Sequence, residues 1–367
     1  MAWMPDAVLP ADRIGQGRLT PAAAELDRLS RRGAAFLGSR YAIMGGAMTW
    51  VSERTLVSAI SNAGGFGVIA CGSMGPDALR AEIAATQALT RQPFGVNLIT
   101  MHPMLDELIQ VCLDAGVGHV VLAGGVPPGA AVRAVKDSGA RLVCFAPALV
   151  LARRLVRSGA DALVIEGSEA GGHIGPVSLA VLAQEILPHL RDVPVFVAGG
   201  IGRGEAILAF LEMGAAGAQL GTRFAASSES IAHPRFKHAF IRARARDALP
   251  SVQLDPRFPV IPVRGLVNAG TRHFAGHQAE AMRRVQAGEL TKELAQLSIE
   301  HFWAGALRRA VIDGDVEEGS MMAGQSVGMV TAEQPIAEII AELVGQACAA
   351  LAARGGPARG ADLPGRP

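Results

Sequence analysis

At 367 residues, half of them hydrophobic, the chain is long enough for one large barrel-sized domain with roughly 100 residues to spare. A net charge of +1 provides no global field to draw in nucleic acid or an anionic surface. Only 4% of residues are aromatic, with a single tyrosine, Tyr41, which is a poor composition for stacking on bases, so no nucleic-acid partner is expected.

Residues 1–40 carry few strand signals and read as an N-terminal extension, within which 21–38 is predicted to be a helix closing the bottom of the domain. The first twenty residues contain acidic groups and no apolar core of a secretory signal. No apolar run approaches the ~18 residues needed to span a bilayer, so no membrane partner and a cytoplasmic location are expected.

From residue 43 eight short apolar runs recur: 43–48, 66–72, 94–99, 119–125, 141–147, 162–167, 195–200 and 218–222. Most are separated by Ala/Leu/Arg-rich stretches of helical pattern, at 52–63, 76–90, 102–116, 127–139, 147–159, 179–190 and 204–214. Strand–helix alternation of this kind predicts parallel strands with crossover helices, and eight units predict an α/β (β/α)8 TIM barrel. The alternation breaks after about 225. The basic stretch 233–248, the Pro-containing 251–265 and the helical 279–314 are too long for a loop. They predict a small, mainly helical cap over residues 225–314, inserted after strand 8. The barrel then comprises 41–224 and 315–356, with its last helix in 332–356. Residues 357–367 are expected to be a disordered tail.

Chemistry in such a barrel sits at the C-terminal strand ends, with a phosphate site after strands seven and eight. Those two runs end in Gly199-Gly200 and Gly221-Thr222, whose backbone N–H groups and hydroxyl suit a phosphate. The densest cluster, Glu166-Gly-Ser-Glu169-Ala-Gly171-Gly172-His173, follows the sixth run. Its glycines allow close backbone approach, and its histidine is a candidate proton-transfer group. The four cysteines, Cys71, Cys112, Cys144 and Cys348, form no CxxC pair and read as buried free thiols. No His-x-His or paired carboxylate stands at the strand ends, so no metal is expected.

In order along the barrel, AIMGGAMTWVS, PFGVN, IEGSEAGGHIG, VFVAGGIGRGE and LGTRF resemble the motif series of the nitronate monooxygenase flavoenzyme family. The segments 221–237, 263–274 and 314–330 are most similar to its enoyl-[acyl carrier protein] reductase II branch. The resemblance covers roughly 43–345. It implies FMN in the barrel mouth, contacted by Gly45, Gly46, Ala47, Met48, Asn97, Glu166, Gly171, Gly172, Ala198, Gly199, Gly200, Gln219, Gly221 and Thr222. It makes His173 the catalytic residue and brings Met321, Met322 and Gln325 to the substrate side. Arg223 is open to two readings, a phosphate contact or a salt bridge to the cap.

Two chemistries fit this reading. The first is NAD(P)H-dependent reduction of a 2-enoyl thioester, with Phe302 and Trp303 covering an acyl chain. The basic residues Arg235, Lys237, Arg242, Arg244 and Arg246 then meet an acidic carrier protein or a nucleotide phosphate. The second is oxidation of small alkyl nitronates with O2. A non-catalytic flavin-binding barrel is a remote third. Small-molecule or carrier-bound substrates follow from the first two, and a homodimer is the expectation for assembly.

Overall fold

Each of the eight apolar runs forms a strand in the computed structural model, which describes residues 13–14, 18–255 and 260–354. The strands are β1 (Ile43–Gly45), β2 (Gly67–Ala70), β3 (Phe94–Ile99), β4 (His119–Ala123), β5 (Arg141–Phe145), β6 (Ala162–Glu166), β7 (Val195–Ala198) and β8 (Gly217–Leu220). They pair in parallel in the order β1-β8-β7-β6-β5-β4-β3-β2. The ring closes where Met44 bridges Phe66. There the Phe66 N–H donates to the Ile43 carbonyl at 2.9 Å, and the Gly45 N–H donates to the Phe66 carbonyl at 2.8 Å. The fold is the expected TIM barrel.

Strand alternation divides the apolar residues into two cores. Met44, Phe66, Val68, Val121, Val143, Val164 and Phe196 fill the barrel interior. Ile69, Val96, Leu98, Val120, Leu142, Leu163, Ile165 and Val197 point outward and pack under the helices. The helix Pro21–Leu37 is capped by Thr20, whose hydroxyl accepts the Ala23 N–H at 3.1 Å. Its last residue, Leu37, is buried with the interior core, so this helix plugs the barrel bottom. A two-residue strand, Arg13–Ile14, pairs antiparallel with Arg18–Leu19 ahead of it. The expected tail at 357–367 and residues 1–12 of the extension lie outside the described residues.

The helix Ile336–Arg354 completes the outer ring. By length and composition it is apolar enough to cross a membrane, which corrects the expectation that no such run exists. Glu338 and Glu342 interrupt the run and obscure it in the sequence. Ile336, Ile339, Ile340, Leu343, Val344 and Ala347 on this helix are buried in the protein core. The Leu343 carbonyl fills the space a side chain would need at Gly204, and Gln346 Oε1 accepts the Gly204 N–H at 2.7 Å.

After β8 come the helices Thr222–Ala225 and Pro234–Arg242, then a sheet and a helix pair. Strand Val263–Leu266 pairs antiparallel with Ala248–Pro250 on one edge. Its other edge is shared by Gly172–His173 and Met321–Met322. The long helices Ala269–Gln286 and Lys292–Val311 enclose a separate core of Val260, Val263, Phe274, Ala281, Ile299 and Trp303. The cap is thus a sheet as well as helices. Its strands are two to four residues long, too short for an alternation signal.

His119 is buried at the barrel bottom between the rings of Phe36 and Phe66, at centroid distances of 5.3 and 4.8 Å. Its Nε2 lies 2.9 Å from the Phe36 carbonyl. Burial lowers its pKa, the Phe36 hydrogen bond opposing and Arg141 adding to the effect. Protonation is therefore easier in the unfolded chain, so stability is full above the ordinary imidazole pKa and is lost as pH falls below it. His119→Gln is expected to lose less of its thermal unfolding midpoint than the parent between pH 7.5 and 5.5. Equal losses in parent and variant would remove His119 as the acid-sensitive group.

Candidate active site

The mouth is built by the inward-facing positions at the C-terminal ends of the strands. Continuing the alternation upward from the apolar interior brings Gly46, Asn97, Glu166, Ala198 and Gln219 to the top layer. Asn97 is buried, and its Nδ2 lies 3.4 Å from the Val121 carbonyl. A side chain at Gly46 would meet Gln219 Nε2 at 3.4 Å, so the glycine keeps the floor open beside that amide. Ala47 and Met48 follow, and Met48 Sδ lies 3.4 Å from where a side chain would begin at Gly221. Gly45 faces the other way. Its Cβ position is 2.6 Å from Ile60 Cδ1 on the helix Arg54–Asn62, so the missing side chain there serves strand–helix packing.

Glu166 ends β6 among these groups. Its side chain is half-buried, no ion pair to it is found among the described residues, and burial pushes its pKa up to about 8. At neutral pH it is a carboxylic acid that can donate as well as accept.

The loop after β6 is held on both sides. Glu169 Oε2 accepts the Leu179 N–H at 2.9 Å and so caps the helix Leu179–Ile186, which occupies this carboxylate structurally. The Glu169 carbonyl accepts the Gln325 N–H at 2.9 Å, and Thr222 Oγ1 accepts the Gly324 N–H at 3.0 Å. These bonds draw the Met322–Gln325 segment into the mouth. A side chain at Gly171 would strike the Gly324 N at 2.5 Å, and one at Gly172 would meet Met322 Sδ at 3.6 Å. His173 is exposed, with its backbone paired to Val263 and the next N–H, of Ile174, donating to the Pro262 carbonyl at 2.9 Å.

Gly199 and Gly200, with φ of +98° and +70°, turn the chain back at the end of β7. A side chain at Gly200 would meet Glu169 Cβ at 2.9 Å. Gly221 and Thr222 open the short helix Thr222–Ala225 beside them. Thr222 accepts from Gly324 and retains its own O–H to donate. The two turns, the open floor at Gly46 and the unpaired acid of Glu166 fit a planar ring with one phosphate-bearing arm.

Three groups do other work. Arg223 is buried and turned away, donating to the Met329 carbonyl at 2.6 Å and to Glu342 at 2.8 Å. This is a salt bridge to the last helix, neither to the cap nor to a phosphate. Trp303 is 3% exposed inside the cap core, 4.2 Å from the Phe274 ring, so it supports the cap and does not cover a chain in the mouth. Lys237 is buried and paired with Glu333 at 3.0 Å, whereas Arg235, Arg242, Arg244 and Arg246 stay exposed. The four cysteines are buried and form no disulfide among the described residues, and the thiols of Cys71, Cys112 and Cys144 are pushed up to about 12 by burial.

Arg264 was not among the expected site residues. Buried in the cap strand, it donates to the Ser168 carbonyl at 2.7 Å and to the Ala248 carbonyl at 2.6 Å, tying the β6 loop to the cap. A lone cation in the Pro/Val run PVIPVRG is the sequence signal that points to it.

Residues 31–109 and 103–346 match the family model described as nitronate monooxygenase. The chain belongs to the nitronate monooxygenase family. FabK from Thermotoga maritima is 34% identical and superposes with a TM-score of 0.79, over 88% of this chain and 97% of that one. Nitroalkane oxidase from Streptomyces ansochromogenes is 26% identical, with a TM-score of 0.71 over 88% of this chain and 99% of that one. A relative in Mycobacterium tuberculosis, (3aS,4S,5R,7aS)-5-hydroxy-7a-methyl-1-oxo-octahydro-1H-indene-4-carboxyl-CoA dehydrogenase, is 28% identical over 84% of this chain and 93% of its own length. A nitronate monooxygenase of Pseudomonas aeruginosa is 31% identical over 66% and 80% respectively. The protein is an oxidoreductase of this FMN-using type.

Ala at Gly200 must adopt a positive φ that costs about 1–2 kcal/mol, and it also presses on Glu169. Gly200→Ala is expected to weaken FMN binding about tenfold, by the recovery of free flavin fluorescence. Gly116→Ala is the control, because Gly116 has a φ of +69° with no atom near its Cβ position and lies before β4, at the opposite end of the barrel. Equal affinities in the two variants would remove the Gly199-Gly200 turn from the site. For Glu166, a folded pKa near 8 against an ordinary 4.5 means stability is full below 4.5 and is lost as pH rises through about 8. Glu166→Gln should flatten the alkaline fall in the apoprotein's unfolding midpoint between pH 6 and 9.

Proposed function

We propose that the protein is an NAD(P)H-dependent reductase of α,β-unsaturated acyl thioesters. The observation that carries this reading is the likeness to FabK, an enoyl-[acyl carrier protein] reductase II. It extends over 97% of the FabK chain and exceeds the likeness to nitroalkane oxidase in both identity and TM-score. A relative that acts on a carboxyl-CoA thioester adds support for the substrate class.

FMN, when bound, supplies the two-electron chemistry between nicotinamide and the substrate double bond. The residues that would hold it are the Gly199-Gly200 and Gly221-Thr222 turns for the phosphate, with Gly46, Asn97, Gln219 and Glu166 for the ring. His173 stands at the rim on the edge of the cap sheet, where its imidazole gives a proton to Cα or hydrogen-bonds the thioester carbonyl. Glu166, its pKa pushed up to about 8 by burial, would have an O–H to donate within the mouth. The Met322 side chain beside Gly172 narrows the rim next to His173.

Nitronate oxidation is the second reading, favoured by the 31% identity to the Pseudomonas aeruginosa enzyme. There His173 is the base or charge partner of the anion, and no nicotinamide is needed.

Anaerobic stopped-flow on the yellow protein separates the two. NADH or NADPH is expected to bleach the flavin, and crotonyl-CoA to restore the colour. Rapid bleaching by propyl nitronate, with slow bleaching by either nicotinamide, reverses the assignment. His173→Ala is expected to retain FMN and lose about two to four orders of magnitude in turnover. Full activity in that variant would exclude it as the proton-transfer group.

A further inference from the structure

A groove of about 400 Å³ lies outside the mouth, between the helix Pro234–Arg242 and the cap sheet. Its lining combines Arg242, Arg246 and Asp247 with Leu249, Leu266 and Val267. Ala239 and Ala243 also line it, and their small side chains take up little of its space. Arg242 makes no ion pair with a described residue, and the Arg246 contact with Asp247 is 3.9 Å long and solvent-exposed. Leu249 and Val267 are 48% and 55% exposed. Two available guanidinium groups in one groove with exposed aliphatic side chains match a ligand that is both polyanionic and flat-ringed.

We propose that this groove binds the phosphorylated adenosine diphosphate end of a coenzyme A thioester, resting on the thioester reading given above. The phosphates meet Arg242 and Arg246, and adenine lies on Leu249 and Val267. NADPH carries the same chemical group, but reach favours coenzyme A. The groove takes in Leu266 at one end of the strand Val263–Leu266, and His173 pairs with Val263 at the other, roughly 10 Å away at the rise of a strand. A pantetheine arm spans such a gap between phosphates and thioester. In a nicotinamide dinucleotide the reactive ring follows one ribose after the second phosphate. An acidic carrier protein needs a broad basic face, whereas this groove is nucleotide-sized and includes the acidic Asp247 in its lining.

The test compares holoenzyme with the variant Arg242→Glu/Arg246→Glu, whose altered side chains are exposed on the surface. Substrates are crotonyl-CoA and crotonyl-N-acetylcysteamine, which lacks phosphates. The ratio of kcat/KM for the first over the second is expected to fall about tenfold or more. Calorimetric affinity for free coenzyme A should fall with it, and the wild-type ratio should fall as salt rises. An unchanged ratio with both thioesters reduced overturns the groove and leaves the thioester reading standing. Loss of coenzyme A binding in the variant, with neither thioester reduced by wild type, supports the groove and overturns the thioester reading. A raised KM for NADPH, or for crotonyl-acyl carrier protein, at an unchanged coenzyme A ratio overturns the proposal in favour of that ligand.

Discussion

The position of His173 depends on a sheet that is not part of the barrel. Gly172 and His173 are carried on the edge of the cap strand Val263–Leu266, and two backbone pairs alone would hold so short a segment weakly. The buried guanidinium of Arg264 reinforces the contact by bonding at once to Ser168 in the β6 loop and to Ala248 in the neighbouring cap strand. A buried charge is tolerated only when its donors are satisfied, and removing one partner of such a network costs several kcal/mol. Arg264 therefore converts cap folding into loop geometry, and the mouth is complete only when the cap is docked.

A second lock acts from the far side of the loop. The Ala323–Gln325 segment lies on Gly171, with Gly324 and Gln325 donating to Thr222 and to Glu169. The Gly221-Thr222 turn after β8, the His173 loop after β6 and the segment leaving the cap are thus one hydrogen-bonded unit. Glu169 belongs to this scaffold through its cap on the helix Leu179–Ile186. Glu166, three residues earlier, points into the mouth without such a partner, and this separates the environments of two carboxylates in one loop. The glycines divide in the same manner. Gly46 leaves room beside the Gln219 amide and Gly200 lets the turn pass against Glu169, whereas Gly45 and Gly204 let a strand and a helix approach their neighbours.

The barrel was legible because its signal is periodic. Eight apolar runs with helical patterns between them need no tertiary information to read, and each run forms a strand. The rim residues Asn97, Glu166 and Gln219 came from the family resemblance, and the inward alternation of the strands places them at the mouth. The cap sheet left no such trace, because strands of two to four residues fall below any period. The parts of Arg223, Trp303 and Lys237 were equally hidden. A cation beside a phosphate turn, a tryptophan in a cap and a lysine in a basic run each have two plausible neighbours, and contacts between distant segments choose between them.

By itself, then, the sequence determined the eightfold strand–helix order, the glycine turns after β7 and β8, and the cluster that ends in His173. Local pattern and backbone chemistry decide those features, so they survive being read one residue after another. Tertiary structure alone decided which glycines border the mouth and which let a strand or helix pack closely. It also decided that Glu169 is a cap while Glu166 is an uncharged acid, and that His173 rides on the cap. These features depend on contacts such as those joining Gly324 to Thr222 and Arg264 to Ser168, about a hundred residues apart, or on burial, and burial is a property of the closed barrel that no segment possesses alone.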